Sequence, residues 1–341
     1  MAKKIFITGG AGFIGRELAK KLVVQGHDVI CFDVGEQFAR HQNFMVNLQS
    51  QGQLTIINGT ILDRFKLNTG MKGCDVVFHM AAMLGVKRTE ENRLRCMETN
   101  VTGTDMVLSA CVFNQVEHVV FASSSEVYGE PTKNPISEND ETKGKTVYAV
   151  SKLAGEELVK GYSQTFPNLQ HTIARFFNTY GEGQVAQFVL AKFVKAVLEG
   201  NNPVVFGDGS QSRSYAHVDD VTGGLLAIME NPISRDKIYN LGNSNQLKTV
   251  TELAQLVIDE LRPNSGISVD ILGTFEGSDR NESREIFARY CDTSLAQAEL
   301  NFEPKISIIE GIHRLAEADH LHDDWPMHWY EQANDGLDAE V

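Results

Sequence analysis

The sequence predicts an α/β protein built on a doubly wound parallel sheet, with a smaller α/β lobe attached. Three observations carry this prediction. Short apolar runs alternate with helical patterns through the first half of the chain, a glycine-rich loop follows the first run, and polar residues collect where a later run ends. Such strand–helix alternation is typical of parallel sheets that are covered by helices on both faces.

The predicted strands are nearly continuous apolar runs, as expected for strands that are buried on both faces. They are residues 3–8, 28–33, 54–58, 75–80, 118–123 and 171–176. Helical patterns lie between them, among them residues 13–25, 96–113 and 149–166. After about residue 176 the alternation loosens, which indicates a second region of different organisation.

We therefore predict two lobes and a tail. The sheet domain covers residues 1–176, with segments around 210–245 returning to it, and the smaller lobe combines residues 177–209 and 246–320. Residues 321–341 form an acidic tail, which we expect to be solvated, with a partner contact through its two tryptophans as the alternative.

Composition argues against several classes of partner. The net charge of −14 disfavours nucleic acid, whose phosphates need a basic protein face. The chain has no stretch of about 20 apolar residues, so we expect no membrane span, and its opening residues do not resemble a signal peptide. Five scattered cysteines without a CxxC pair favour reduced thiols in the cytoplasm and predict neither disulfides nor a metal site.

The stretch "FITGGAGFIG" (6–15) follows the first strand and opens a helix. It fits GxGxxG through Gly10, Gly12 and Gly15, and the related GxxGxxG through Gly9. Glycines permit the tight turn and let backbone N–H groups meet a pyrophosphate at the helix N-terminus. The second strand ends in Asp33, whose carboxylate would accept from ribose hydroxyls and repel a 2′-phosphate, so the cofactor predicted is NAD.

Asp63 follows the third strand, in "NGTILD". Its carboxylate could accept from the adenine amino group of the cofactor. Capping the next helix is an equally good interpretation of the sequence.

Two further motifs indicate proton chemistry. "YAVSK" places Tyr148 and Lys152 four residues apart on one face of a helix, where the ammonium would lower the pKa of the phenol. Alone, this spacing is common and is compatible with an exposed pair. Together with the polar strand end "SSSEVYG", the pair indicates a catalytic site, because doubly wound sheets bind ligands at the carboxyl ends of their strands.

Together the motifs "TGGAGFIG", "SSSEVYG", "YAVSK", "RFFNTYG" and "GDGSQSRSYAHVDD" resemble the extended short-chain dehydrogenases/reductases, in the nucleotide-sugar epimerase, dehydratase and decarboxylase branch. The resemblance covers roughly residues 3–310. It implies an NAD-dependent enzyme of the cytoplasm that acts on a nucleotide sugar, with a UDP-sugar favoured. It also implies a homodimer formed through the helices that carry residues 96–113 and 149–166.

The resemblance assigns roles to individual residues. Tyr148 would be the base at the sugar C4 hydroxyl, Ser124 would hydrogen-bond the same oxygen, and Lys152 would tune the phenol and hold the nicotinamide ribose. Asn178 and Arg213 would bind the diphosphate, and Ser125 would lie at the sugar. The remaining cofactor contacts implied are Phe13, Ile14, Ile61, Ala81 and Asn100.

Two sets of basic residues have more than one possible assignment. The family places an arginine before the later "CDTSLA" segment, and either Arg280 or Arg284 fits. Lys87 and Arg88 follow "HMAA" where these enzymes meet the sugar. They could hold a hexuronate carboxylate, although a solvated loop is the commoner interpretation.

Glu126 bears on which reaction follows C4 oxidation. Dehydratases of the branch resemble "DEVYG", and this chain has Ser125 in place of the aspartate. "Ser-Glu" is most similar to uronate decarboxylases, while a Glu126 that only hydrogen-bonds the backbone is the plainer alternative. We expect a UDP-sugar 4-epimerase by default, with a UDP-glucuronate decarboxylase or a 4,6-dehydratase as alternatives. A catalytically idle NAD-binding regulatory protein is the alternative from another class.

Overall fold

The computed structural model describes residues 2–184, 188–277 and 285–318. Its main element is a parallel seven-stranded sheet in the order β3-β2-β1-β4-β5-β6-β11. The strands of this sheet are β1 (Lys4–Thr8), β2 (Asp28–Asp33), β3 (Leu54–Asn58), β4 (Val76–His79), β5 (His118–Ser124), β6 (Gln170–Phe176) and β11 (Lys237–Leu241). The doubly wound parallel sheet predicted from the sequence is therefore confirmed.

Helices cover both faces of this sheet. The α-helices of the described residues, those on the sheet and elsewhere, are α1 (Phe13–Val24), α2 (Gly35–Arg40), α3 (Gln42–Gln51), α4 (Arg64–Gly70), α5 (Val86–Glu91), α6 (Arg93–Met97), α7 (Gly103–Phe113), α8 (Val147–Thr165), α9 (Val189–Leu198), α10 (Val218–Glu230), α11 (Val250–Leu261), α12 (Ser294–Leu300) and α13 (Ile308–Ala316). On one face α1, α3, α10 and α12 pack on the strands, and on the other α4, α7 and α8 do.

Short strands form the rest of the β structure. They are β7 (Thr179–Tyr180), β8 (Val204–Val205), β9 (Ser212–Ser214), β10 (Ala216–His217), β12 (Leu247–Thr249), β13 (Asp270–Ile271) and β14 (Ala288–Arg289). Helices α9, α11 and α13 share a separate apolar core. Strand β11 pairs with β6, so part of the second half of the chain lies in the main sheet. The lobe boundaries given above stay a prediction.

One predicted helix differs in detail from the structure. The pattern at 96–113 forms α6 and α7, joined by a π-helical turn at Glu98–Thr102. This turn contains Asn100, whose side chain is buried and bonded to groups outside the helix. The wider turn is common at functional sites because it re-aims a side chain.

The sheet order places a switch point between β1 and β4. From β1 the chain winds outward to β3, and it then returns to the other side of β1 through β4, β5 and β6. Crevices at such points, outside the carboxyl ends of the strands, are where doubly wound sheets bind ligands. The glycine loop after β1 and the polar stretch after β5 both lie at this edge.

Candidate active site

The glycine loop is packed too tightly for side chains. Gly9 has φ +69°, in the left-handed region that favours glycine, and the N–H of Gly12 donates to the Gly9 carbonyl at 3.0 Å. A Cβ on Gly15 would lie 2.1 Å from that same carbonyl oxygen. Glycine is therefore required where α1 begins, and the helix presents bare N–H groups to its N-terminal side.

Asp33 closes the loop from the end of β2. Its carboxylate accepts from the N–H of Ala11 at 3.1 Å and from the N–H of Val34 at 2.8 Å. Burial raises the pKa of this carboxyl to about 6, although the backbone N–H groups favour its charged form. Next to it, residues 34–36, 39 and 58–60 line an open cavity of about 510 Å³. A glycine cradle, a carboxylate and an adjoining cavity fit the phosphates, ribose and adenine of NAD.

The other predicted cofactor residues surround this edge. Phe13 and Ile14 are the first residues of α1, Ile61 is buried against Gly103, and the N–H of Ala81 donates to the Thr8 hydroxyl at 3.2 Å. Their contacts with a cofactor stay predictions.

Asp63 caps a helix, as one of the two interpretations expected. Its side chain accepts from the N–H of Lys66 at 3.0 Å, in the first turn of α4. The contact with adenine stays a prediction.

Asn100 joins the cofactor edge to the catalytic helix. Its Oδ1 accepts from the N–H of Met83 at 2.7 Å, and its Nδ2 donates to the Ser151 hydroxyl at 2.9 Å. Ser151 lies on α8 beside the candidate catalytic lysine. The π-helical turn thus holds the loop after β4 and α8 in one network.

Helix α8 brings the candidate catalytic groups together. Thr146 caps it, and Tyr148 is its second residue, facing the end of β5. The Ser124 side chain hydrogen-bonds the Tyr148 phenol, which favours its ionised form. Lys152 lies one turn further, with Nζ 2.7 Å from the Ala122 carbonyl oxygen and 5.9 Å from the centroid of the Tyr148 ring.

Burial acts on the ionisation of both groups. It lowers the pKa of Lys152 to about 8, because the ammonium loses most of its hydration. It also raises the pKa of Tyr148, and the nearby Glu126 carboxylate raises it further, while Ser124 and Arg289 oppose the rise. Only the ionised phenolate can take up a proton from a substrate, so this side chain needs a positive charge close by to lower its pKa.

Glu126 takes part in an ion pair and is not an isolated charge on the protein surface. Its carboxylate accepts from Nη2 of Arg289 at 2.7 Å, and their side chains are 15% and 4% exposed. Nε and Nη1 of Arg289 are buried and have no hydrogen-bond partner among the described residues. The pair lies near the phenol of Tyr148, since both charges influence its pKa. The neighbouring Ser125 is 2% exposed.

Sequence reasoning did not identify Arg289. The family resemblance before "CDTSLA" indicates Arg280 or Arg284, and both lie outside the described residues, as does the acidic tail. Arg289 is nearer to that segment, three residues before Asp292. The signal that could have identified it was the need for a cation to balance a carboxylate beside a buried phenol.

The Asn134 side chain holds the backbone on both sides of Arg289. Its Nδ2 donates to the Ala288 carbonyl at 3.1 Å, and its Oδ1 accepts from the Tyr290 N–H at 3.3 Å. The adjoining loop continues this contact, with Ile136 N–H donating to the Tyr290 carbonyl at 2.9 Å. The Asn134 amide therefore hydrogen-bonds the backbone of β14 as a neighbouring strand would, and these bonds fix the position of Arg289.

Arg213 and Asn178 come from the second half of the chain, on β9 and between β6 and β7. Arg213 is buried, with Nη2 2.7 Å from the Glu285 carboxylate, and β14 places it beside Arg289 in register. Asn178 has φ +21°, and its Oδ1 is buried without a hydrogen-bond partner among the described residues. An unpartnered buried amide is available to a ligand, but both diphosphate assignments stay predictions.

Lys87 is exposed on α5, and Arg88 is partly buried. Both residues therefore lie in a helix and not in the loop that was the commoner interpretation, and the carboxylate contact stays a prediction. Helix α5 is nonetheless fixed to the catalytic helix, because Glu90 accepts from the N–H of Val147 at 3.0 Å.

The described residues hold no group of three or more metal-ligating side chains arranged for a metal ion. None of the described helices has the length and apolar character to cross a membrane. All five cysteines are buried and unpaired.

Fold and site define a dinucleotide-dependent enzyme with a serine–tyrosine–lysine group at the end of β5. The model of the NAD dependent epimerase/dehydratase family matches residues 5–242. The chain belongs to this family, in the nucleotide-sugar branch of the extended short-chain dehydrogenases/reductases. It is an NAD-dependent enzyme.

Three similar proteins illustrate the range of the family. The UDP-N-acetyl-alpha-D-glucosaminuronate decarboxylase of Bacillus cytotoxicus is 35% identical over 322 residues, covering 92% of this chain and 96% of its own. The Bacillus cereus UDP-glucuronic acid 4-epimerase, solved with UDP-glucuronic acid and NAD, is 25% identical with a TM-score of 0.82, over 93% and 98% of the chains. DesIV, a dTDP-glucose 4,6-dehydratase of Streptomyces venezuelae solved with NAD, is 26% identical with a TM-score of 0.83, over 92% and 95%.

Proposed function

We propose that the protein is an NAD-dependent decarboxylase of a UDP-linked hexuronate. The observation that carries this proposal is the buried Glu126–Arg289 pair beside Tyr148. The 4-epimerase expected by default needs only the serine, tyrosine and lysine. A 4,6-dehydratase needs an acid at position 125, where this chain has a buried serine.

The pair suits a substrate that loses a carboxylate. Two buried N–H groups of Arg289 lack partners among the described residues, and a guanidinium binds planar oxygen anions through such paired donors. The Glu126 charge on the same guanidinium opposes a stably held substrate carboxylate. The repulsion between the Glu126 carboxylate and the substrate carboxylate therefore favours release of the substrate carboxylate as neutral carbon dioxide. The 35% identical relative is named as a decarboxylase of a UDP-linked uronate, which supports the same substrate class.

In this mechanism Tyr148 accepts the proton of the C4 hydroxyl, while Ser124 holds the same oxygen and Lys152 keeps positive charge below the phenol. A bound NAD would supply reversible removal of hydride at C4. The resulting 4-keto uronate is a β-keto acid, so the C5–C6 bond breaks and its electron pair stays on the sugar as an enolate. Arg289 stabilises this negative charge, and the Glu126–Arg289 pair delivers a solvent proton to C5. The net change is uronate plus a proton to pentose plus carbon dioxide.

The test is to incubate the full-length enzyme in D₂O with UDP-glucuronate, UDP-N-acetylglucosaminuronate and UDP-glucose, and to follow products by NMR. We expect carbon dioxide from a uronate and a UDP-pentose with deuterium at C5. Conversion of UDP-glucuronate to UDP-galacturonate without carbon dioxide would establish 4-epimerisation and overturn the proposal.

Two matched variants isolate the ion pair. Glu126→Gln removes the negative charge of the pair, and Arg289→Lys keeps the positive charge but loses the planar set of N–H donors, so we expect carbon dioxide release to fall about 10²-fold or more in each. NAD content should stay at the wild-type level. Undiminished carbon dioxide release in both variants would remove the pair from the mechanism.

We also propose that the enzyme is a homodimer of the cytoplasm. Large apolar side chains are exposed on the helices expected to form the interface: Leu94 (88%), Phe113 (72%) and Val150 (46%). Buried free thiols suit a reducing compartment. Light scattering of the purified protein tests the dimer, and a monomeric mass at micromolar concentration would contradict it.

A further inference from the structure

Arg16 is a buried cation that the proposed reaction does not use. It follows Gly15 directly, in the first turn of α1, and only 4% of it is exposed. The carboxylate of its neighbour Glu17 lies 3.7 Å from its Nε. Burial lowers the pKa of this guanidinium, so its position costs solvation free energy. Such a cost needs compensation by contacts that its planar shape can make.

The guanidinium contacts two segments besides its own helix. Nη1 lies 2.9 Å from Nε2 of His41, and the charge lies 5.6 Å from the centroid of the Phe44 ring. These residues belong to the segment that follows Asp33 and lines the cofactor cavity with its first turns. On the other side, Nη2 donates to the carbonyl of Glu182 at 3.3 Å.

The Glu182 segment connects Arg16 to β7 and α10. It follows β7, and the Glu182 carboxylate lies 2.9 Å from Nε2 of His217, which caps α10. Gly183 has φ +84°, and a Cβ there would lie 1.1 Å from Nη2 of Arg16. The guanidinium therefore fills the space that a side chain at position 183 would need.

We infer that Arg16 is a positioning residue that closes the NAD site by fastening the His41 segment and the Glu182 segment against the glycine loop. The NAD site described above lies between the glycine loop and the cavity after Asp33. The planar guanidinium of Arg16 joins the His41 segment and the Glu182 segment to the glycine loop, and it therefore opposes their separation. This role rests on the NAD dependence of the family and not on which sugar reaction follows.

The test measures NADH dissociation from the full-length enzyme by stopped-flow fluorescence. Arg16→Ala should release NADH about tenfold faster or more, because it removes hydrogen bonds from a charged donor. Arg16→Lys keeps the charge and loses the planar guanidinium, so its rate should be intermediate. Lys20→Ala, on an exposed part of the same helix, is the matched control and should keep the wild-type rate. A rate for Arg16→Ala within about twofold of the wild type would overturn the inference.

A purely structural role gives a different pattern. If Arg16 only supports the fold, Arg16→Ala lowers the melting temperature of the NAD-free protein and leaves NADH dissociation unchanged, which also overturns the inference. His41→Ala supplies a second probe that does not alter α1. The double variant should release NADH no faster than Arg16→Ala alone, because the two side chains act through one contact. Additive effects would contradict a shared role. None of these outcomes depends on whether the enzyme decarboxylates its sugar.

Discussion

On the cofactor side, the glycine turn and Asp33 are close in the sequence, whereas on the reaction side the groups around Arg289 come from residues far apart. Ala11 and Asp33, which bond to each other beside the glycine loop, are 22 positions apart. Arg213 and Glu285 are separated by 72 positions, and Asn134 and Ala288 by 154. Both sides meet at the same edge of one sheet.

This difference governs how each side can be altered. The cofactor side depends on backbone geometry, because the groups proposed to bind NAD are glycines and backbone N–H groups. The reaction side depends on charges that are brought together by the fold and held in a buried place. Substitutions should therefore separate NAD binding from sugar chemistry, and four predictions test that separation.

The largest effect is expected for Tyr148→Phe. Removing the phenol oxygen removes the proposed base at C4, so turnover should fall by about 10³-fold or more. NAD binding should be spared, since the ring remains on α8 and the glycine loop is untouched. NADH formation from substrate in a single turnover, together with NAD content, measures both quantities. Retained turnover would contradict the proposed role of the serine–tyrosine–lysine group.

Gly15→Ala should produce the reverse result. Its Cβ would lie 2.1 Å from the Gly9 carbonyl oxygen, which is backbone and cannot move aside cheaply. We expect NAD affinity to fall about 100-fold, because the strain displaces the loop that binds the phosphates. Isothermal titration with NAD gives the affinity. Gly223→Ala is the control, since a Cβ there meets no atom within 4 Å. Unchanged affinity in Gly15→Ala would show that the loop adapts.

The same difference determines which parts of the fold and of the candidate site the sequence could predict. The parallel sheet and its carboxyl-edge site could be predicted because strand runs, glycine spacing and the Tyr148–Lys152 spacing are local patterns. The Glu126–Arg289 pair could not, since β14 is placed at the site by its pairing with β9 and by the contacts of Asn134 and Ile136, all of which join distant parts of the chain. The capping of α4 by Asp63 could be expected only as one of two interpretations, because a helix cap and an adenine contact need the same residue type.

Asn134→Ala tests the long-range side without touching a reacting group. Losing both hydrogen bonds frees the backbone around Arg289, so we expect carbon dioxide release to fall about tenfold with NAD affinity unchanged. Asn134→Asp keeps the acceptor for Tyr290 N–H and should retain part of the rate. The readout is kcat against KM for the uronate, since a loss of position acts mainly on kcat. An unaltered kcat for Asn134→Ala would show that Arg289 needs no such support.

The smallest effect concerns the ionisation of Asp33. Burial raises its pKa to about 6, so in the NAD-free protein the carboxyl takes up a proton as the pH falls through that value. Ribose hydroxyls donate more strongly to the ionised form, and NAD affinity should therefore fall below about pH 6, by at most about tenfold per pH unit. The folded-state pKa exceeds the ordinary value of 3.8, so the unfolded chain binds fewer protons in this window. The free energy of unfolding of the NAD-free protein should accordingly decrease as the pH rises from about 4 to 6.

Titrations with NAD between about pH 5 and pH 8 measure the change in NAD affinity, and Asp33→Asn should abolish the pH dependence of this affinity. A wild-type affinity that stays constant across this range would show that the ribose is not held by the Asp33 carboxylate.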